Sequence, residues 1–215
     1  MINEEKLQLF KEIKGKKVLE LGCGSGKSLE FLAKKGALEL WGIDISEEQI
    51  KKAKSLQITN GTFLISSMEN NPGITLNYFD YVLSLYSIGF SSDPVETIKL
   101  SSNYLKKDGK FILCWIHPFF NCLGIQDDKI VITHNYNDET AKTIKKGTDE
   151  IELLQYNLKI STLINSLISA GLEIDKIIEE NPTKTNGIGN YKSLYFNERK
   201  LAVAPTTLII VAHKK

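Results

Sequence analysis

The sequence predicts a doubly wound α/β fold, and three observations carry that prediction. Short, nearly continuous apolar runs alternate with amphipathic helical stretches from residue 16 to residue 116. The runs are rich in β-branched residues and leucine, as expected of parallel strands covered on both faces. A turn with three glycines in five positions, 22 to 26, joins the first strand to the first helix.

The elements follow in order. KKVLELG (16–22) is the first strand, and LEFLAKK (29–35) has helical spacing closed by Gly36. LELWGIDI (38–45) is the second strand, and SEEQIKKAKSL opens a helix in which Ser46 and Gln49 form a capping box. TFLIS (62–66) and YFDYVLSLYS (78–87) are the third and fourth strands. Asp93-Pro94 sets a capping acid before a first-turn proline and opens a helix to about Lys107. KFILCWI (110–116) is the fifth strand. The rhythm then breaks, and residues 118–155 read as a hairpin-rich insertion, not a crossover helix. STLINSLISAG (161–171) resumes as a helix ended by Gly171, and LEIDKIIEE (172–180) and TTLIIVA (206–212) are the sixth and seventh strands. Residues 181–205 form a long loop with no clear period. No repeat or linker divides the chain, so residues 1–215 are expected to form one domain.

Composition narrows the function. With 27 basic and 26 acidic residues the net charge is +1, which gives little drive toward nucleic acid. No apolar run approaches the ~18 residues of a membrane span, and the charged start MINEEKLQLF lacks a signal peptide's apolar stretch. Cys23, Cys114 and Cys122 are odd in number and form no C-x-x-C pair, so reduced thiols and a cytoplasmic location are expected. His117, His134 and His213 have no zinc-ligand spacing, and no metal site is expected.

The turn LELGCGSGKS fails both common phosphate motifs. A P-loop needs four residues between its glycines, but Gly22 and Gly26 enclose three. The dinucleotide fingerprint needs a third glycine where Lys27 stands. The stretch reads E-x-G-x-G-x-G, from Glu20 through Gly22, Gly24 and Gly26. Asp44 ends the second strand, where a carboxylate can accept from both hydroxyls of a ribose. Glycine loop and acid together make a nucleoside site without a phosphate clamp.

VLELGCGSG, GIDIS, SSMENNP, FDYVLSLYS and LKKDGKFIL resemble, in order and spacing, the motifs of class I S-adenosylmethionine-dependent methyltransferases. The tail YNLKISTLINSLISAGLEIDKIIEENP with PTTLIIVA is similar to that of small-molecule members, such as the ubiquinone and menaquinone biosynthesis group. The resemblance implies a Rossmann-like seven-stranded sheet whose last strand is antiparallel, with S-adenosylmethionine as cofactor. It implies that Glu20 helps hold the methionine end, often through water, and that Gly22, Cys23, Gly24 and Gly26 lie along the cofactor. Asp44 would hold the ribose, Ile45 would face the adenine, Ser67 and Met68 would flank it, and Leu85 would offer backbone to the methionine moiety. The family often has Asp where Ser66 or Ser67 stands, so the adenine N6 contact falls to a backbone group. Cys23 is read as a small residue that fits, and Lys27-Ser28 as an ordinary first helical turn.

Methyl transfer from an activated sulfonium needs alignment first, and a base only if the acceptor loses a proton. His117, just past the fifth strand, is either that base or the first residue of a His-Pro turn bonded to backbone. Tyr86, one past Leu85, is either catalytic or pocket wall. The insertion 118–155 is expected to act as a lid over a small-molecule acceptor, in a pocket shared with the 181–200 loop and the N-terminal helix, where Phe119, Phe120, Tyr136 and Tyr156 either line an apolar cavity or pack the lid itself. Only about sixteen residues precede the first strand, which leaves the pocket open or closed by the insertion or by a second subunit. A monomer or homodimer is expected, with no N-P-P-[YF] tetrad of the kind seen in nucleic-acid and protein methylation; SLYS stands there.

Overall fold

In the computed structural model the described residues are 4–145, 152–181 and 198–215. After a short helix α1 (Glu4–Leu7), strands and helices alternate: β1 (Lys17–Leu21), α2 (Lys27–Lys34), β2 (Glu39–Asp44), α3 (Glu47–Ser55) and β3 (Gly61–Ile65). The second half begins with β4 (Phe79–Leu85), a 3₁₀ turn (Ile88–Phe90), α4 (Pro94–Tyr104) and β5 (Leu105–Ile116). Then come α5 (Pro118–Cys122), the hairpin strands β6 (Leu123–Gln126) and β7 (Lys129–Ile132), and a second pair, β8 (Lys142–Lys145) and β9 (Glu152–Gln155). The chain closes with α6 (Ile160–Ser169), β10 (Leu172–Glu180), α7 (Glu198–Leu201) and β11 (Thr207–Lys214).

Seven strands form one sheet in the order β10-β11-β5-β4-β1-β2-β3. Strands β1 to β5 pair in parallel, while β11 runs antiparallel to both β5 and β10. The Rossmann-like sheet with an antiparallel last strand is therefore present as expected. Successive residues of β4 serve opposite faces: Val82 packs with Leu113, Trp115 and Leu163, and Tyr81 and Leu83 pack with Leu29, Ile50 and Ile112. This two-sided burial explains why the central strands are apolar without interruption.

Helix caps stand where the sequence sets them, although the Ser46 capping box is half formed, its N–H donating to Asp44 and not to the Gln49 side chain. The Ser46 side chain accepts from the Gln49 N–H at 3.3 Å, and Asp93 accepts from Glu96 at 2.9 Å ahead of Pro94. Three details differ from the sequence reading. Helix α4 stops at Tyr104, because residues from Leu105 pair with β4 across a register shift between Phe79 and Tyr81. The insertion opens with the short helix α5, and its first hairpin turns on Asp127 and Asp128, both at positive φ (47° and 63°), the backbone of a type I′ turn. The loop expected over 181–205 contains α7, and residues 182–197 of it lie outside the described residues.

Candidate functional site

Because β1, β2, β3 and β4 are parallel, the residues that follow them meet at one edge of the sheet, where the order reverses between β1 and β4. Such a switch point is where open α/β sheets bind ligands. The glycine loop after β1 occupies it. Gly22, Gly24 and Gly26 all have positive φ, at 67°, 52° and 74°. A methyl group on Gly22 would overlap Cβ of Ser87 and lie 3.2 Å from the Met68 sulfur, so Gly22 allows close approach of protein to protein. On Gly24 it would meet only the Gln49 Oε1, at 3.9 Å. Gly24 faces open space.

Asp44 braces this loop. Its Oδ2 accepts from the Gly24 N–H at 2.8 Å, and its Oδ1 accepts from the Ser46 N–H at 2.9 Å. One carboxylate thus ties the glycine loop to the start of α3, and each oxygen keeps a lone pair for a further donor. Ile45, the next residue, is 76% exposed, which leaves a branched apolar side chain uncovered beside the acid. An adenine against Ile45 with its ribose on Asp44 fits this arrangement.

Glu20 is 2% exposed, and its Oε2 accepts from the Ser28 hydroxyl. Burial raises its pKa to about 8 against the lowering effect of Ser28, and the negative charge of Asp44 adds a smaller upward push. Cys23 turns inward: its sulfur packs over Gly42, and burial pushes its thiol up. Only its backbone is left for the cleft. Met68 is buried beside Gly22, and Ser67 accepts from the Asn70 side chain at 2.8 Å. Leu85 ends β4 half-buried.

Tyr86 has φ 56°, an outlier for a bulky residue. Its N–H donates to the Cys114 carbonyl at 2.7 Å, and its phenol lies 2.8 Å from the Thr207 hydroxyl. The ring is 41% exposed. Strained residues of this kind gather at functional sites.

Of the two roles open to His117, the base is the one its surroundings do not fit. The ring is buried, Nδ1 accepts from the Phe119 N–H at 3.2 Å, and Nε2 lies 2.8 Å from a Glu179 oxygen. Nδ1 therefore carries the lone pair and Nε2 the proton, so the one basic site is already used to cap α5. The alternative of a His-Pro turn bonded to backbone is the reading that the geometry supports. The expected aromatic lining also divides: Phe120 is fully buried beneath the Lys200 ammonium, and the Tyr136 hydroxyl accepts from the Ile160 N–H. The Tyr156 N–H donates to the Gly89 carbonyl at 2.8 Å, while Phe119 is 42% exposed.

Two contributors escaped the sequence reading. Ser87 donates to the Leu21 carbonyl at 2.6 Å and fills the space against Gly22. Ser28, taken for an ordinary helical residue, holds the Glu20 carboxyl. The sequence carries no signal for either, because Ser28 meets Glu20 on another element and Ser87 meets the Leu21 carbonyl from beyond β4.

A methyltransferase-domain family profile matches residues 12–181. An uncharacterised protein of Haemophilus influenzae is 25% identical over 187 residues, 80% of this chain and 73% of its own length. The ubiquinone biosynthesis O-methyltransferase of Haemophilus ducreyi is 31% identical over 145 residues, which span 64% of this chain and 58% of that protein. Among solved structures, one assigned to the S-adenosylmethionine-dependent methyltransferases of Listeria monocytogenes superposes with a TM-score of 0.79. Its identity is 24%, over 99% of this chain and 97% of that one.

Proposed function

The chain belongs to the class I S-adenosylmethionine-dependent methyltransferases, and from that premise we propose that it methylates an O, N or C atom of a small organic acceptor. The observation that carries the reading is the Asp44 carboxylate, which braces the glycine loop and has the exposed Ile45 beside it. When bound, S-adenosylmethionine supplies an already activated methyl group. The chain's own residues bind, orient and exclude water. Asp44 takes the ribose hydroxyls, Ile45 covers the adenine, Ser67 and Met68 flank it, and Gly24 lets backbone lie against the nucleoside.

The acceptor side is assigned to the segments after β4 and β5. Tyr86, Phe90 and Phe119 are each about 40% exposed there, which favours an apolar or aromatic acceptor over a polymer backbone. A net charge of +1 supports the same choice. The β6–β7 hairpin closes over that acceptor, residues 1–215 act as one catalytic domain, and the working form is a monomer or homodimer. The relative named for ubiquinone biosynthesis O-methylation agrees with a small acceptor.

Incubation with methyl-labelled S-adenosylmethionine and separate pools of phenols, amines, bulk RNA and unfolded protein tests the assignment. Label is expected in a small-molecule pool. Label confined to RNA or protein contradicts it.

A further inference from the structure

The phenol of Tyr86 ends a row of hydroxyls that crosses the edge of the sheet. Its oxygen lies 2.8 Å from Thr207 Oγ1 at the start of β11, and Thr207 Oγ1 lies 3.4 Å from Thr206 Oγ1. Thr206 Oγ1 in turn lies 3.2 Å from the carbonyl oxygen of Glu180, the last residue of β10. Thr206 is buried and fixed through its backbone. Its N–H donates to that same carbonyl at 3.1 Å, and its own carbonyl accepts from the His117 N–H at 2.8 Å.

A hydroxyl has one proton to give, and a carbonyl can only accept. The Glu180 carbonyl therefore sets the direction of the whole row. Thr206 donates to Glu180, Thr207 donates to Thr206, and Tyr86 donates to Thr207. The phenol proton is spent inside the protein, so toward the cleft Tyr86 acts as an acceptor of hydrogen bonds and not as a donor. The Cys114 thiol also bonds the Tyr86 side chain, but a thiol is a weak donor that an O–H or N–H outcompetes. The backbone points the same way. Tyr86 is held at φ 56° by its N–H bond to the Cys114 carbonyl, with its ring 41% exposed. Strain kept under a side chain that stays open to the cleft marks a ligand contact.

We infer that Tyr86 selects the methyl acceptor by accepting a hydrogen bond from it, and that Thr207 orients the phenol for that task. Given the small-acceptor reading on which this rests, the substrate class narrows. The acceptor carries an O–H or N–H on an apolar ring suited to the half-exposed rings of Phe90 and Phe119. A site built to pair with a proton donor rejects an analogue that lacks the proton. Ethers, tertiary amines and bare carbon nucleophiles are such analogues.

The test uses 2-naphthol, which carries an O–H, and 2-methoxynaphthalene, which keeps the oxygen and lacks the proton. Each is titrated at neutral pH into protein saturated with S-adenosylhomocysteine, and binding is read by ligand-observed NMR. The wild type is expected to prefer the naphthol by about fivefold, the weight of one neutral hydrogen bond. Tyr86→Phe keeps the ring and is expected to bind the two probes equally. Thr207→Val is expected to lose the preference, because the phenol proton is then released to serve the ether. Thr207→Ser keeps the hydroxyl and is expected to retain it. Equal affinity in the wild type, or a preference that survives in Tyr86→Phe, overturns the proposal and leaves the small-acceptor reading standing. Thr207→Val discriminating like the wild type, or Thr207→Ser failing to, overturns the role of Thr207. Binding of neither probe to the loaded protein contradicts the aromatic acceptor pocket itself, and the proposal falls with it. A protein that takes up no S-adenosylhomocysteine contradicts the cofactor site on which both depend. If Tyr86→Phe does not fold, the two Thr207 variants decide.

Discussion

The glycines of one short loop serve different ends. Gly22 has no room for a side chain, since Ser87 and Met68 already fill the space, whereas Gly24 opens onto the cleft. Gly22→Ala is therefore expected to destabilise the protein by about 2 kcal/mol or more, through positive φ and overlap together. Gly24→Ala carries only the conformational cost, ~1 kcal/mol, but sets a methyl group where the proposed nucleoside would lie. Thermal unfolding with S-adenosylhomocysteine titration separates the two: the first variant loses stability, and the second loses affinity by a larger factor than stability. Asp44→Ala removes charge-assisted bonds to ligand worth about 1.5–3 kcal/mol each, so at least a tenfold loss of affinity is expected. Asp44→Asn is expected to do almost as badly, because one amide face would turn donors toward the Gly24 or Ser46 N–H. At this scale the sequence was legible where a residue acts through its type at a known place: Asp44 ends β2, and Ile45 beside it lies uncovered. It left His117 open between a base and a backbone-bonded turn, because nothing in the dipeptide His-Pro shows that Nδ1 is already spent on the Phe119 N–H. Ser28 was illegible for a related reason, since its partner Glu20 lies eight residues away on another element.

At the scale of elements, the strands were readable because two-sided burial leaves a continuous apolar run, as in β4 and the second half of β5. The polar start of β5, Lys106 to Gly109, broke that run and hid the strand's true beginning at Leu105. The insertion was readable as hairpins but not in detail. Its turn at Asp127-Asp128 lacks the glycine that usually marks a type I′ turn, and α5 has only five residues. The β6–β7 hairpin lies beyond β5, while the residues proposed to hold the cofactor precede residue 90. Replacing residues 124–132 with a short glycine-serine linker is expected to leave S-adenosylhomocysteine affinity within a few-fold. Methyl transfer to the acceptor is expected to fall away or to broaden. Calorimetry and a labelled-methyl assay on the same variant check this, and loss of cofactor binding would place the hairpin in the donor site instead.

Across the whole molecule, one buried acid couples the site to stability. An unfolded glutamate titrates near 4.3, whereas Glu20 in the empty folded protein titrates near 8. Between those values the folded state binds more protons than the unfolded state, so stability contributed by this group is full below about pH 4 and is lost as pH rises through 8. Thermal melts of the ligand-free protein are expected to shift downward from pH 5.5 to about 8, and the shift should shrink in Glu20→Gln. A melt that rises with pH over this range contradicts the account of Glu20.

The central claim is that the glycine loop, Asp44 and Ile45 form the cofactor site, and a crystal structure with S-adenosylhomocysteine measures it most directly. Both ribose hydroxyls are expected within hydrogen-bond distance of the Asp44 carboxylate, with the adenine flat against Ile45 and the ribose over Gly24. The ligand's sulfur is expected to face Tyr86 at the end of β4. A ligand bound elsewhere on the molecule, or one in this cleft with its ribose away from Asp44, would contradict the account.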